Sequence, residues 1–474
     1  MANNSKPYAS NFIPKKIAIY KVDQEDGEPY ANLIGMASHF QYFEDIFTPT
    51  YAATLVVVDN AVNLISEMPI QGFEKVVIEV EDITEETYTY NFRVWTVGNR
   101  TDGDRRQVYT LGLVSEEALI NEGIRVNTIL KGETSQQVSK LLREKLNVPA
   151  DNIDVETSVN YIKMLPTKKT PFAVIKSLQT KTISSSAELS SSGSSSPSTG
   201  SRASSDVGIG SKKASGTAGY LFYQTRKGFV FKSVDSLSSS DSGEFGGSPP
   251  VGENFTWSPG KTDYESTYKI QEIVFNQEID MITKLRDGSY SSIVCFFNIN
   301  TGKYEEYVYS LKDTWSKMVH MGSQTKLPYG QSKLCEYPSR VMSTIINHEN
   351  WYSGSGIASN EDRDGSDSPS EYPDLQKKYV SQSISRLGIM FNQKLTISLT
   401  GHLELVAGDK IEVRIPNQSY EELRNKEVWD PEHSGTYLIK KLNHQFDIQG
   451  KNVYTVLELI RDSFGIKNKE SKVK

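Results

Sequence analysis

Short apolar runs of strand length, separated by polar turn sequences, fill the first part of the chain. Turn signals such as Gln71-Gly72 and Asn99–Asp104 separate the runs. No convincing helical pattern occurs between them. Strands spaced this closely are typical of an antiparallel barrel or sandwich, which we predict for about residues 1–115. The predicted strands are Tyr51–Asn60, Lys75–Asp82, Thr87–Val97 and Gln107–Ser115.

A helical period appears after this region. Apolar residues recur at helical spacing across residues 134–148, behind Thr134-Ser135 as the predicted cap. Thr170 followed by Pro171 predicts the start of a second helix, because proline is favoured at the first helical position. The Ser-rich composition from Ile183 to about Gly216 cannot bury a core and predicts a disordered or mobile loop.

Strand patterns resume beyond the Ser-rich tract. Ala218–Leu237 predicts a hairpin that turns at residues 226–228, so the tract is interpreted as an insertion within one α/β unit. Residues 268–311 have the pattern of strands, and residues 312–372 lose periodicity. Leu375–Gln393 then has a helical pattern, and it leads into the last strands of the chain.

The end of the first strand region resembles the end of the chain. A glycine turn feeds a strand at Gly72 and again at Gly408. Each is followed by a second strand, a polar turn and the residues Val-Tyr-Thr, at Val108–Thr110 and Val453–Thr455. The three-residue match by itself is what strand composition produces by chance. The ordered set of parts favours a duplicated β unit, and a closed trimer of such chains would place six similar barrels in a ring.

Composition narrows the functional classes. The length of 474 residues predicts several domains. The net charge of −7 argues against a basic face that binds phosphate backbones. Two cysteines, Cys295 and Cys335, exclude a disulfide framework and fit a reducing compartment, and we predict buried, inert thiols. Neither a signal peptide nor an apolar run of membrane length is visible, so a soluble protein made in a cytoplasm is expected.

One acidic segment has the spacing of a calcium-binding loop. Residues Asn360, Asp362, Asp364, Gly365 and Glu371 fit positions 1, 3, 5, 6 and 12 of that pattern. However, Asn stands at position 1, a proline lies inside the loop, and no amphipathic helix precedes it. Acidic, Ser-rich sequences match such patterns by chance. We therefore predict no metal ligand, and the question of calcium in residues 360–371 stays open.

Catalytic motifs are not found in the sequence. The histidines have no paired ligand spacing, and no Walker loop, nucleophile elbow or dinucleotide fingerprint occurs. His444 lies on an alternating strand, where a structural role is favoured over catalysis. No catalytic or cofactor-binding residue is assigned, and we predict that the chain is not an enzyme. The histidines are His39, His320, His348, His402, His433 and His444.

The tract Glu74–Tyr88 is strongly acidic and lies in the predicted strand region. If its strand faces line a channel, the negative wall would let DNA pass without adhering, because attraction to phosphates depends on basic residues. A solvated strand face explains the same pattern equally well, so both interpretations are kept.

Three stretches resemble a known family. They are Thr170–Thr182 followed after an insertion by Ala218–Leu237, the glycine-turn strand Leu405–Asn417, and His433–Ser463. Together they resemble the central hub protein of contractile-tailed phage baseplates of the T-even-like type. They are also similar to the N-terminal part of type VI secretion spike proteins.

The resemblance implies a mainly β chain. Such a chain would have two tube-type antiparallel β-barrel domains, the second split by an insertion, and an α/β domain between them. On this sequence the domains map to residues 1–115 (first barrel), 116–262 (α/β domain with a disordered Ser-rich insertion at about 184–217), 263–312 with 390–465 (second barrel), 313–389 (insertion domain) and 466–474 (flexible tail).

The resemblance also implies a function. The chain would be a structural virion protein, the trimeric central hub of the tail baseplate. Such a hub joins the sixfold tail tube to the threefold cell-puncturing spike and forms part of the channel for DNA ejection. The implied partners are further copies of the chain, the spike, the tail tube protein and other baseplate proteins. Double-stranded DNA would pass without specific binding, and no membrane insertion is implied. The implied location is the tail baseplate of a virion assembled in the host cytoplasm.

Two features depart from the family. The Ser-rich insertion and the polar segment 353–372 are larger than expected, which leaves the peripheral contacts open. The alternative function is a carbohydrate-binding or glycan-cleaving β-protein, suggested by the many Tyr and Trp residues. That alternative requires an aromatic groove and a pair of carboxylates, whereas the internal repeat favours the hub.

Overall fold

The computed structural model describes most of the chain. The described residues are 10–22, 27–60, 64–103, 106–158, 161–184, 208–209, 212–213, 218–239, 254–257, 268–276, 280–298, 302, 304–324, 326–346, 371–417 and 429–466. Every statement below about structure refers to these residues.

Strands make up more of the described fold than helices. The strands are β1 (Ile13–Tyr20), β2 (Ala31–Asn32), β3 (Ala37–Asp45), β4 (Ala52–Asp59), β5 (Lys75–Glu81), β6 (Thr87–Asp102), β7 (Gln107–Val114), β8 (Leu130–Glu133), β9 (Ile153–Val155), β10 (Tyr161–Met164), β11 (Gly208–Ile209), β12 (Lys212–Lys213), β13 (Tyr220–Thr225), β14 (Gly228–Ser233), β15 (Phe255–Trp257), β16 (Lys269–Phe275), β17 (Ser291–Asn298), β18 (Tyr304–Ser310), β19 (Arg340–Ile346), β20 (Gln393–Thr400), β21 (Lys410–Arg414), β22 (Gly435–Asp447) and β23 (Asn452–Arg461). The helices are α1 (Leu64–Glu67), α2 (Glu116–Gly123), α3 (Thr134–Leu146), α4 (Pro171–Gln179), α5 (Val234–Ser238), α6 (Met281–Asp287), α7 (Leu311–Thr314), α8 (Tyr329–Leu334) and α9 (Glu371–Ile389), with single 3-10 turns at Ala150–Asn152 and Trp315–Lys317.

One large sheet contains both β units. Its strand order is β2-β1-β5-β6-β7-β4-β3-β22-β21-β15-β16-β20-β23, and β22 also pairs with β23. The last six strands in that order therefore close into a barrel. The first unit is completed by the second, because β3 pairs with β22 and Asn11, ahead of β1, bridges Asn452. The predicted fold class is confirmed as a mainly β chain in which a closed six-stranded barrel, split in the sequence, is joined to a second β unit, with an α/β unit between them in the sequence.

Aromatic side chains from both units share one core. Alternate residues of β3 and β6 point inward, as the two-residue period of a half-buried strand requires. Phe40 on β3 stacks on Phe446 of β22 with ring centroids 5.2 Å apart. Phe12 and Phe446 form a T-shaped contact with ring centroids 5.1 Å apart. The second barrel thus inserts a side chain into the core of the first.

The α/β unit lies between the two β units in the sequence. The hairpin β13–β14 turns at Arg226-Lys227, as predicted, and β14 pairs in parallel with β9. Every strand residue of the hairpin is buried, because one face packs on α3 and α4 and the other on the second barrel and the end of α9. A strand pair covered on both faces has a nearly continuous apolar sequence.

A smaller sheet lies in the region inserted into the second barrel. Its strand order is β18-β17-β19, and α9 packs against β17 and β18. From Ser381 to Arg386 nearly all of the α9 side chains are buried, including three serines. Small side chains let the helix pack closely against its neighbours on several sides.

The two predicted helix starts have different outcomes. Thr170 is the N-cap of α4, its hydroxyl accepts a hydrogen bond from the Ala173 N–H, and Pro171 is the first helical residue, as predicted. The predicted cap at Thr134-Ser135 is wrong by one position, since Glu133 is the N-cap and Thr134 already lies in the helix. The reason is that β8 extends to Glu133 and pairs with β10, so the strand continues directly into the helix.

The predicted Ser-rich loop begins too early. Ile183 and Ser184 are buried, and they form bridges to Ala218 and Ser158 respectively. Gly208–Ile209 pairs with Lys212–Lys213, and the rest of the tract lies outside the described residues. The domain boundaries proposed from the sequence remain predictions. Within the described part of the chain, no helix has the length and apolar content needed to span a membrane.

Candidate functional site

A glycine turn leads into β5. Gly72 has a φ of 100°, and the buried Glu74 side chain accepts hydrogen bonds from the N–H groups of Gln71 (2.7 Å) and Gly72 (3.0 Å). The Phe73 N–H donates to the Val94 carbonyl at 2.7 Å, and the Val94 N–H donates to the Glu74 carbonyl at 2.9 Å. Strand β6 has a bulge directly after Val94. The turn is therefore fixed both by a buried carboxylate and by its pairing with β6.

A matching pair of backbone hydrogen bonds leads into β21, but the glycine lies one position later, because Gly408 is the counterpart of Phe73. Gly408 has a φ of 88°, and the buried Asp409 side chain accepts from the Val406 N–H at 3.1 Å. The Gly408 N–H donates to the Ile439 carbonyl at 2.9 Å, and the Ile439 N–H donates to the Asp409 carbonyl at 2.8 Å. Strand β22 has a bulge directly after Ile439. Val94 and Ile439 therefore occupy equivalent positions in the two units.

The equivalence extends to five strands. In the first unit β5, β6, β7, β4 and β3 follow one another in the sheet, each antiparallel to the next. In the second unit β21, β22, β23, β20 and β16 have the same antiparallel order. The ordered set of parts that favours duplication in the sequence is thus present in the fold.

The repeated Val-Tyr-Thr sequence is not structurally equivalent. Val94 pairs with Leu113 and Ile439 with Leu459, which makes Tyr454 the counterpart of Val108. Tyr109 is fully buried, whereas Tyr454 is 44% exposed, because a one-residue offset places a side chain on the other face of a strand. The match of these three residues is a product of strand composition.

The outer face of the joined sheet has an uncharged band. Its first row runs in direct register across six strands and contains Gly112, Thr54, Gln41, Gln445, Tyr454 and Thr400. The next row contains Val114, Ala52, Phe43, Asn443, Val456 and Ser398. We call these two rows the uncharged band. Most of these residues are partly buried, Gly112 and Thr400 are buried, and Tyr454 is 44% exposed. Charged residues make up 23% of the chain, and the two rows contain none.

Charges resume at one border of the uncharged band. Lys441 lies 3.8 Å from the Asp45 carboxylate and 3.7 Å from that of Glu458, and these residues are neighbours in the sheet. Partial exposure makes such pairs worth at most about 1 kcal/mol each. These ion pairs mark the edge of the uncharged band and contribute little to the stability of the fold.

Glu44 ties three parts of the chain together. Its Oε1 accepts hydrogen bonds from the Tyr42 hydroxyl and the Arg226 N–H, each at 2.6 Å. Its Oε2 accepts from the Ala407 N–H, also at 2.6 Å. Burial raises the pKa of Glu44 to about 7, although these three hydrogen bonds act in the opposite direction. The carboxylate joins β3, the β13–β14 turn and the turn before β21, at the junction of the two β units.

A second buried cluster fixes α9 to the second barrel. The Arg386 guanidinium is fully buried and donates to Asp462 Oδ2 at 2.7 Å, to Asp235 Oδ1 at 3.0 Å and to the Val319 carbonyl at 2.6 Å. His320 Nδ1 lies 2.8 Å from the same Asp462 oxygen. Burial alone would raise the pKa of Asp462, but Arg386 and His320 hold it well below its usual range.

The predicted histidines are dispersed. His444 is buried, stacks on Tyr42 and lies 2.9 Å from the Thr455 hydroxyl through Nδ1, and burial lowers its pKa to about 3. His402 is also buried, and its pKa is lowered to about 4 by burial. His433 lies 2.7 Å from Asp430. His39 is exposed, and His348 lies outside the described residues.

Several other predicted features have defined positions. Two glutamates of the acidic tract form ion pairs with lysines of β1, away from the uncharged band. Glu79 lies 3.8 Å from Lys16, and Glu81 lies 2.8 Å from Lys15. Cys335 is buried, as predicted, but Cys295 is only partly buried, because it lies on the outer face of the smaller sheet. Of the calcium-pattern residues, Asn360, Asp362, Asp364 and Gly365 lie outside the described residues, and of Glu371 only the backbone is described. In the described ranges, no group of three or more His, Cys, Asp or Glu side chains is placed to hold a metal.

Neither buried cluster was predicted from the sequence. Glu44 follows Phe40 and Tyr42 at the same two-residue spacing, so a charge at a core-facing position was a readable signal. Asp462 carried the same signal, because it directly follows the apolar strand β23. The sequence around Arg386 contains a weaker signal, because the helical pattern there is weak and the burial of Arg386 depends on packing from several elements.

Comparisons with known proteins give matches at the level of structure. No protein-family model matches the chain, and no curated protein matches its sequence. The tail protein from Neisseria meningitidis MC58 superimposes with a TM-score of 0.50 at 11% sequence identity, over 96% of this chain and 98% of that one. This chain has the fold of that tail protein.

Two further solved structures are less similar to this chain. The 43 kDa tail protein of prophage MuSo2 from Shewanella oneidensis has a TM-score of 0.48 at 9% identity, over 95% of this chain and 99% of that one. A component of the type VI secretion system of E. coli has a TM-score of 0.40 at 10% identity, over 91% and 76% of the two chains.

Proposed function

We propose that this chain is a structural virion protein, the trimeric central hub of a contractile-tail baseplate. In this role it joins the sixfold tail tube to the threefold puncturing spike. The observation that supports the proposal is the pair of equivalent β units fused through β3 and β22, since three such chains present six similar units around one axis. The likeness in fold to a tail protein agrees with this role.

The uncharged band is the proposed wall of the DNA channel. Thr, Gln, Asn and Ser side chains offer no fixed positive charge to phosphates, so DNA would pass without the attraction that basic residues supply. The acidic tract is a weaker candidate for the wall, because Glu79 and Glu81 are already paired with lysines. We accordingly place the channel on the side of β4, β3, β22 and β23.

The partners follow from this role. We propose the spike, the tail tube protein and other baseplate proteins as partners, within the tail of a virion assembled in a host cytoplasm. A catalytic role is not proposed. The glycan alternative was suggested by aromatic content, and aromatic residues such as Phe40, Tyr42, Tyr90, Phe92 and Phe446 pack in the shared core instead of lining a groove.

The native mass tests the trimer directly. Light scattering over a range of concentrations should give about 159 kDa, three times the 53.1 kDa of one chain. End-on electron microscopy of that species should show six lobes around a central hole. A single chain at every concentration would contradict the trimer.

The channel wall is tested with introduced charge. Thr54→Lys with Gln41→Lys and Gln445→Lys should leave the mass unchanged but retain DNA at low salt and slow its ejection from assembled particles. A matched control carries three lysines outside the band, at the exposed Thr87, Thr89 and Asn91 of β6. Equal ejection by both variants would contradict the proposed channel face.

A further inference from the structure

The contact between the two β units within one chain has a defined register. Residues 441–447 of β22 pair antiparallel with residues 39–45 of β3, and Gln445 lies opposite Gln41. In this contact Leu442 and Phe446 are buried, each about 1% exposed. The edge of β22 that extends past its own barrel is therefore covered by the neighbouring unit.

The counterpart of β22 in the first unit is β6. Counting from the equivalent residues Val94 and Ile439, Val97 of β6 corresponds to Leu442. A second bulge, between Gly98 and Thr101, adds one residue to β6, so Thr101 corresponds to Gln445. Asn99 lies in this bulge with a φ of 53°, which is the left-handed conformation that asparagine tolerates.

The counterpart of β3 in the second unit is β16. Each strand has a bulge near its start, between Ala37 and His39 in β3 and between Ile270 and Glu272 in β16. Counting from these bulges, Val274 corresponds to Gln41. The neighbouring strands agree with this count. Thr54 of β4 lies between Gln41 and Gly112, and Thr396 of β20 lies in the same way between Val274 and Glu458.

Both counterparts have an edge without a strand partner among the described residues. The pairing of β5 with β6 ends at Arg93, and the pairing of β15 with β16 covers only Lys269 and Ile270. Val97 is 37% exposed, although its counterpart Leu442 is 1% exposed. On the other edge Val274 is 45% and Phe275 is 42% exposed. Apolar side chains beside an unpaired strand edge indicate a surface that another chain covers.

We propose that the edge of β6 from Gly98 to Asp102 pairs antiparallel with the segment from Ile273 to Asn276, at the edge of β16, in a second copy of this chain. Thr101 lies opposite Val274 of the partner copy, and Gly98 lies opposite Asn276. The contact repeats between chains what β22 and β3 do within one chain. It rests on the proposed hub, and it specifies which strands close the ring and in which register.

Disulfide trapping tests the register. Antiparallel residues that lie directly opposite have Cα atoms close enough for a disulfide, so Thr101→Cys with Val274→Cys should cross-link neighbouring copies on mild oxidation. The background is Cys295→Ser, and Cys335 is retained because it is buried. Non-reducing gel electrophoresis should show covalent dimers and trimers, and each single variant should remain a monomer. Gly98→Cys with Asn276→Cys is a second pair in the same register, and a Cβ at Gly98 meets nothing within 4 Å.

The control shifts the register by one residue. Asp102→Cys with Val274→Cys places the two thiols on opposite faces, so the matched pairs should give about tenfold more covalent oligomer. Light scattering of the same variants separates the two proposals. A trimer that neither matched pair cross-links above the control overturns the strand pairing and leaves the hub standing. A monomer overturns the hub, and the strand pairing with it.

Discussion

Replacement of Arg386 with methionine should be among the most damaging single changes in the described chain. The guanidinium is fully buried and donates to Asp462, Asp235 and the Val319 carbonyl. Methionine fills similar volume but leaves the fully buried Asp462 carboxylate without its main counter-charge. Removal of one partner from a buried ion pair costs about 3–5 kcal/mol, and the upper part of that range is expected here because two carboxylates lose the same cationic partner.

Urea unfolding at pH 7, followed by tryptophan fluorescence, measures this cost. Trp315 is a suitable probe, since its ring stacks on His320 with centroids 3.9 Å apart beside the cluster. The matched control is Arg143→Met on the exposed side of α3, which should change stability by less than about 0.5 kcal/mol. The double variant Arg386→Met with Asp462→Asn should show a coupling energy above about 1 kcal/mol.

The pH dependence gives an independent check. The low pKa of Asp462 means that its contribution to stability is present above its unfolded pKa of about 3.9 and is lost as the pH falls below that value. Without Arg386, burial dominates and raises the pKa, so the variant should gain relative to wild type as the pH falls. A cost below about 1 kcal/mol at pH 7, or a deficit that grows in acid, would refute the proposed role of this ion cluster.

Two further substitutions have defined outcomes. Gly408→Ala should lower stability by roughly 2 kcal/mol or more, because Gly408 has a φ of 88° and an added Cβ would lie 2.0 Å from the Tyr223 hydroxyl. The control Gly98→Ala should be nearly neutral in thermal unfolding, and equal losses would contradict this account. His444→Gln should flatten the fall in stability on acidification. The pKa of His444 is lowered to about 3, so wild type loses up to about 1.4 kcal/mol per pH unit below pH 6.5. Denaturant midpoints at pH 7 and pH 4.5 measure the slope, and parallel slopes would count against the buried neutral histidine.

Local signals in the sequence were sufficient for most of the strands and for one helix start. β4, β5 and β7 lie within their predicted spans, and β6 begins as predicted, because each is a short run bounded by turn residues. α4 begins as predicted because Thr170 and Pro171 act within one helical turn. The start of α3 was misplaced because strand pairing of β8, a contact with a distant segment, determined where the helix begins.

The buried clusters depended on contacts across long stretches of sequence. Glu44 is bonded to Arg226 and Ala407, which lie 182 and 363 residues away. Arg386 joins Asp235 and Asp462 across 151 and 76 residues. A strand or helix pattern shows that a charged residue faces inward, but it does not show which distant group becomes the partner.

The sequence by itself determined the β-rich class, the glycine turns and the order of parts in the two β units. These depend on residue preferences within a few positions, which act before any long-range contact forms. The tertiary structure alone decided the register of the repeat, the fusion of β3 with β22 and the uncharged band. A strand has the same alternating pattern whichever partner it meets, so side-chain chemistry across the sheet is fixed only when the strands pair.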